Sequence, residues 1–159
     1  MKLSIQREVF LKPLQQVIGV VERRQTLPVL GNVLLNATKR NVKLTATDLE
    51  VELQAQVDVA VSEPGDMTLP ARKLLDICKA LPDGVRMSIS QSGEKVAVRA
   101  GRSKFSLATL PAAEFPAVDE INAENVIEVP QRLLADLLEK THFSMAQQDV
   151  RYYLNGLLI

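Results

Sequence analysis

Residues 49–61 read LEVELQAQVDVAV, and their strict alternation is the strongest periodic signal in the chain. Leu49, Val51, Leu53, Ala55, Val57, Val59 and Val61 fall on one side of an extended backbone; Glu50, Glu52, Gln54, Gln56, Asp58 and Ala60 fall on the other. Successive side chains of a strand point to opposite faces, so the pattern predicts one long antiparallel strand with a core face and a wet face. Upstream, Lys2 to Gln6 alternates as a short strand. From about Glu8 to Val20 the period becomes helical: Val9, Phe10, Leu11, Leu14, Val17 and Ile18 share one face, and Glu8, Lys12, Gln15 and Gln16 share the other. Val29 to Thr38 then reads as a strand, with a turn at Lys39, Arg40 and Asn41 and a short strand around Leu44.

Downstream, Glu63, Pro64 and Gly65 break the chain and the order restarts. Met67 to Leu69 is a short strand. Pro70 opens a helix carrying Leu74, Leu75, Ile77, Cys78 and Leu81, and three short strands follow at 85–91, 95–100 and 104–110, separated by turns at Gly93 and Gly101. Residues 1–110 are thus two copies of strand, helix and three strands, an α+β pattern. Pro111 to Asn125, with two prolines and the acids Glu114, Asp119, Glu120 and Glu124, reads as a connection. Beyond it the first pattern returns at a shift of 124: Leu3/Ile127, Ile5/Val129, Phe10/Leu134, Leu14/Leu138, Val33/Leu157 and Leu34/Leu158 pair apolar with apolar. At a shift of 60, Leu69, Pro70, Ala71 and Arg72 lie over Val129, Pro130, Gln131 and Arg132. The expected organisation is a first domain at 1–115, a linker at 116–125, and the start of a second domain at 126–159 as strand, helix and strand. An apolar end at Leu157, Leu158 and Ile159 leaves a strand edge without a partner, so the chain reads as a fragment.

Composition excludes several classes of function. No apolar run approaches the roughly 18 residues of a membrane helix, and Arg7 and Glu8 stand where a secretory signal needs its apolar stretch, so a soluble, cytoplasmic protein is expected. One cysteine, Cys78, rules out an internal disulfide and paired-thiolate zinc sites, and one histidine, His142, rules out two-His metal motifs. The 19 basic and 19 acidic residues cancel overall but not locally: residues 1–113 carry 16 basic against 11 acidic (+5) and the remainder 3 against 8 (−5). The asymmetry points to a polyanion partner for the first domain.

None of the common phosphate-cradle, nucleophile or metalloprotease motifs is present. Asp48, Glu50 and Glu52, at alternate positions of the long strand, would share one face and could hold a divalent cation; the plainer reading is a solvated strand face, continued by Gln54, Gln56 and Asp58. A carboxylate-dependent metal enzyme, or a ligand-binding α+β module, therefore stands as the alternative. Cys78 lies on an apolar helix face and reads as core, and His142 follows a helix end. Arg23 and Arg24 follow the first helix in a polar connection able to reach phosphates. The corresponding later stretch holds Gln147, Gln148, Arg151, Tyr152 and Tyr153, whose rings could stack on bases, although strand alternation would turn one tyrosine inward. Arg99, Arg102 and Lys104 cluster around a hairpin suited to an acidic partner.

The stretches LKPLQQV (11–17), TLPVLGNVLL (26–35), TATDLEVEL (45–53), PARKLLDICKALP (70–82), GRSKFSLATLPAAEFP (101–116) and FSMAQQDVRYYLNG (143–156) resemble the N-terminal part of the bacterial DNA polymerase sliding clamps, over essentially the whole chain. The resemblance implies a DNA-clamp fold, with two strand-helix-three-strand units per domain and helices on one side of antiparallel sheets. It implies a non-catalytic processivity factor without cofactors: a homodimeric ring around duplex DNA, without sequence specificity, that tethers the replicative polymerase, the clamp loader and repair proteins through short linear motifs. Carried over by position, Arg24, Gln148, Tyr152 and Tyr153 would touch DNA. Arg151 and Leu154 would line the motif pocket, and Lys73, Ile77, Arg102, Lys104 and Phe105 would lie on the surface that meets the other subunit. By the same resemblance, these residues alone are not expected to close a ring.

Overall fold

The computed structural model describes residues 1–21, 27–116 and 126–158. The chain divides into two compact units, Met1–Val118 and Asp119–Ile159. In the first, β1 (Lys2–Gln6) leads into α1 (Arg7–Val17), then β2 (Asn32–Ala37), β3 (Asn41–Thr47), β4 (Glu52–Asp58) and β5 (Val61–Glu63). The pattern restarts with β6 (Gly65–Pro70) and α2 (Ala71–Ala80), followed by β7 (Arg86–Ser92), β8 (Lys95–Ala100) and β9 (Ser103–Ala108).

The strands form two antiparallel sheets, one in the order β5-β1-β7-β8-β9 and one in the order β4-β3-β2-β6. Each repeat gives its first strand to the other. β1 pairs with β7, placing Leu3 opposite Ile89 and Ile5 opposite Met87; β6 pairs with β2, placing Met67 opposite Leu35 and Leu69 opposite Val33. The two repeats align in sequence at a shift of 64, which sets Leu3, Ile5, Phe10, Leu14 and Val17 over Met67, Leu69, Leu74, Cys78 and Leu81, all ten buried in one hydrophobic core. α1 and α2 pack on each other and on the sheets. At 25 cal/mol per Å² of apolar surface, each such side chain contributes roughly 1.5–3 kcal/mol by leaving water.

Polar groups stitch the exchange together. Arg7, at the start of α1, donates from Nε to the Cys78 carbonyl at 3.1 Å and from its guanidinium to Asp83 at 2.6 Å. Arg72, at the start of α2, donates to the Val21 carbonyl beyond α1. Each helix thus begins by holding the chain at the end of the other. The Glu8 carboxylate accepts the N–H of Gly84 at 2.8 Å, a residue whose φ of +72° suits glycine. On the outer edge of β6, the Thr68 hydroxyl accepts from Asn32 Nδ2 at 3.0 Å and from the Leu110 N–H at 3.1 Å, so a buried polar group and an otherwise bare strand edge are satisfied together.

Three expectations need correction. Residues 49–61 are not one strand. Asp48 caps a tight turn by accepting the N–H groups of Glu50 and Val51 at 2.9 and 2.7 Å, and Leu49 is forced to a φ of 80°. β4 then ends at Asp58, the N–H groups of Val59 and Val61 bond to the carbonyls of Arg40 and Lys39, and β5 joins the other sheet beside β1. The alternation persists across the break because both pieces turn their apolar face to the same core. The first helix stops at Val17 and tightens into a 3₁₀ turn at Ile18–Val20, closed by the Val21 N–H on the Ile18 carbonyl at 3.1 Å. In the second unit the expected helix is present as α3 (Gln131–Thr141), but residues 126–130 form no ladder and Tyr152–Asn155 is a 3₁₀ turn rather than a strand. A strand exists only with a partner, and none of the described residues of this unit is buried.

Leu69→Ala, at a fully buried position of an exchanged strand, should cost about 2–5 kcal/mol in urea unfolding. Leu133→Ala on exposed α3 should cost less than about 0.5 kcal/mol; equal costs would contradict the placement of the core. The Gly84 N–H holds the Glu8 carboxyl below its ordinary 4.5. Its contribution is therefore complete above that value and is lost as pH falls through the depressed folded value. Glu8→Gln should remove that part of the acid destabilisation, seen as a flatter dependence of the urea midpoint on pH.

Candidate nucleic-acid and partner surfaces

The connection after α3 is a small self-braced loop. A 3₁₀ turn at His142–Ser144 ends the helix, with the His142 ring nitrogen Nδ1 3.1 Å from the Glu139 carbonyl oxygen. The Ala146 N–H donates to the Leu154 carbonyl at 2.9 Å, which closes the loop. Inside it, Asn155 spans the gap twice, accepting the Asp149 N–H at 3.0 Å and donating Nδ2 to the Asp149 carbonyl at 2.9 Å. Asp149 also takes the Arg151 guanidinium in a two-pronged pair, Nε and a terminal nitrogen each at 3.0 Å. This pairing holds the Asp149 carboxyl below the ordinary carboxylate range and raises Arg151.

These bonds fix what the loop presents. Gln148 sits exposed at a left-handed φ of 58°. Tyr152 and Tyr153 are 84% and 75% exposed. The expected inward turn of one tyrosine does not occur, because a 3₁₀ turn, unlike a strand, does not send neighbours to opposite faces. Gln148, Arg151, Tyr152, Tyr153 and Leu154 are brought together within this loop, with Arg151 oriented by Asp149 rather than waving in solvent. Arg24 lies outside the described residues. Asp149 and Asn155 carry no periodic mark of this bracing role; the local signal for it is an acid two residues before an arginine.

The second surface lies at the edge of the five-stranded sheet. Among the described residues β9 pairs only with β8 and leaves its other side open. Arg102 lies in the Gly101 turn, Lys104 faces outward, and Phe105 turns inward to the margin of the core. Lys104 stands directly opposite Arg99. Like charges set side by side on one face repel, and among the described residues neither takes part in a salt bridge. On α2, Lys73 is exposed and Ile77 is half-buried against the core.

The three-carboxylate metal site does not survive the geometry. Asp48, Glu50 and Glu52 are not on one strand face: Asp48 spends its carboxylate on the turn, Glu50 lies in the bend, and Glu52 begins β4 and accepts from Gln54 Nε2 at 2.6 Å. Among the described residues no group of three histidines, cysteines or carboxylates could hold a metal. Burial pushes the Cys78 thiol up to about 11, which leaves it protonated and unreactive. Among the described residues no helix is long and apolar enough to cross a membrane.

Residues 1–119 match the family described as DNA polymerase III beta subunit, N-terminal domain. The beta sliding clamp of Pseudomonas putida KT2440 is 55% identical over 160 residues, covering 100% of this chain and 44% of the relative. That of Escherichia coli K12 is 52% identical over 159 residues, covering 99% of this chain and 43% of the relative. Among solved structures, the DNA polymerase III subunit beta of Pseudomonas aeruginosa aligns with a TM-score of 0.94 at 55% identity, over 98% of this chain and 43% of that one. The sliding clamp of Bartonella birtlesii, solved bound to griselimycin, aligns at 0.95 and 36% identity over 98% of this chain and 42% of that one. The chain thus spans less than half the length of these relatives, and it belongs to the family of the bacterial DNA polymerase III beta subunit.

Proposed function

We propose that the chain works as part of a sliding clamp, a non-catalytic processivity factor that surrounds duplex DNA and tethers the replicative polymerase and other partners. The observation that carries this reading is the likeness over 98% of the chain at a TM-score of 0.94 to a DNA polymerase III beta subunit. In this reading residues 1–115 are the first clamp domain, 116–125 a linker, and 126–159 the beginning of a second domain. Encirclement belongs to the longer relatives, of which this chain matches about 43%.

The residue roles follow from position and surroundings. A protein that slides over any sequence needs contacts to phosphates and sugars and no readout of base edges. The exposed amide of Gln148 and the rings of Tyr152 and Tyr153 suit such contacts, with Arg24 as the cationic member of the set. Leu154 offers an apolar anchor beside Arg151, whose guanidinium is already oriented by Asp149; the two form one wall of a pocket for short linear motifs. The open edge of β9, with Arg102, Lys104 and Phe105, together with Lys73 and Ile77 of α2, forms the face toward another subunit. The unrelieved pair of Arg99 and Lys104 supports an acidic partner surface there.

Fluorescence anisotropy tests the reading. The chain should bind unrelated duplexes weakly, with equal affinity and a strong dependence on salt. Arg24→Ala should lower affinity equally for all of them and reduce the salt slope by about 0.9, one phosphate's worth. A preference for one sequence, or binding indifferent to salt, would overturn it. The loop makes a separate prediction. Because the Asp149 carboxyl is depressed below its ordinary 3.8, the pair with Arg151 persists above that value and is lost only as pH falls through the depressed one. The Arg151 Nε–H resonance should be slow to exchange at neutral pH and lost to solvent in Asp149→Ala.

A further inference from the structure

The two sheets of the first unit differ in the charge of the faces they turn away from the core. β1, β7, β8 and β9 contain no aspartate or glutamate and carry five cations, Lys2, Arg86, Lys95, Arg99 and Lys104. β2, β3, β4 and β6 carry one lysine, Lys43, and three acids, Glu52, Asp58 and Asp66. Because Leu3, Met87, Ile89, Val96 and Val98 point into the core, strand alternation puts all five cations on the outward face, and all five are exposed. The register sets Ser4, Ser88, Arg99 and Lys104 in one row across the strands, and Gln6 and Arg86 in the next. Glu63 on β5 stands opposite Lys2, and Glu94 lies in the turn before Lys95, so the carboxylates sit at the margins and the centre, at Arg86 and Arg99, has none. Among the described residues none of the five cations enters a salt bridge.

We propose that this basic face is a docking surface for an extended, acidic segment of another protein. Rows on one face of a strand are two residues, about 7 Å, apart, and alternate side chains of an extended chain laid along β7 and β8 recur at the same spacing. Glutamates or aspartates at alternate positions of such a segment meet Arg86 and Arg99 in successive rows, where a guanidinium can take a carboxylate through two parallel bonds. The short side chains of Ser4 and Ser88 leave room between the cations. A membrane surface would require exposed apolar anchors and a single nucleic-acid strand would require rings to stack its bases; the outward positions of these four strands hold neither. The same lack of large apolar side chains separates this face from the leucine face of α3, since it has no core to complete. Single ion pairs on an exposed face are weak, so binding draws on several at once and on low salt. The site lies on the sheet behind the β9 edge and stands apart from the DNA and subunit roles proposed above.

Fluorescence anisotropy with a labelled peptide of alternating glutamate and serine is the first test. The chain should bind it at low salt, and binding should fall steeply between about 0.01 and 0.15 M salt as the screening length shrinks from about 30 to 8 Å. Arg86→Glu combined with Arg99→Glu should weaken binding at least about tenfold. Arg86→Gln with Arg99→Gln, which removes the charges without reversing them, should weaken it by a smaller factor at an unchanged urea midpoint. Lys39→Glu with Lys43→Glu makes the same change in net charge on the other sheet and should leave affinity within about twofold. Amide resonances of Ser4, Ser88 and Arg99 should shift on titration with the peptide. No binding at low salt, equal losses in the two charge-reversed pairs, shifts confined to β9, or a DNA duplex whose binding falls more than the peptide's in the Arg86→Glu and Arg99→Glu variant would each overturn the proposal.

Discussion

The exchange of first strands between the two repeats is the constraint on which the first unit depends. Because β1 completes the sheet of the second repeat and β6 that of the first, neither repeat can bury its own apolar face alone. Leu3 and Ile5 reach the core only by lying against β7, and Met67 and Leu69 only by lying against β2. Folding one half without the other would leave a helix with an unpaired apolar stripe and a strand with unpaired backbone groups, each unfavourable. Two short patterns thereby become one cooperative unit with a single core.

The polar contacts follow from the same exchange. Arg7 and Arg72 stand at equivalent junctions, one residue apart in the repeat, and both use a guanidinium to hold a backbone carbonyl at the end of the opposite helix. A guanidinium offers several donors in a fixed plane, so it can satisfy a carbonyl and still reach outward, as Arg7 does to Asp83. The Asn32, Thr68 and Leu110 network performs a related task where β9 exits, covering a strand edge that would otherwise invite association.

Against this rigid frame, the surfaces proposed for partners have few internal obligations. The Gln148–Tyr153 segment bonds mainly to itself, through Asp149 and Asn155, and leaves its rings in water. β9 keeps one side of its backbone free and carries cations that lack carboxylate partners among the described residues. Neither surface brings together a nucleophile, a base and an oxyanion donor. Oriented charge, exposed rings and an open strand edge are means of contact.

The sequence by itself determined the repeat, the helices and the core residues, since period and polarity are local properties read residue by residue: Phe10, Leu14, Leu74 and Cys78 are all legible as inward positions. It could not reveal which sheet each strand joins. The alternation at 49–61 looks continuous, yet β4 and β5 part at Val59, because pairing is a relation between distant segments and leaves no mark in the period of either. For the same reason Val126 to Val129 reads as a strand while having no ladder to join among the described residues, and the bond from Arg72 to the Val21 carbonyl has no signature in the local pattern. The candidate surfaces divide in the same way. Tyrosines, arginines and a basic hairpin are visible in the chain, but the orientation of Arg151 by Asp149 and the exposure of both tyrosines arise from hydrogen bonds that only the folded loop can make.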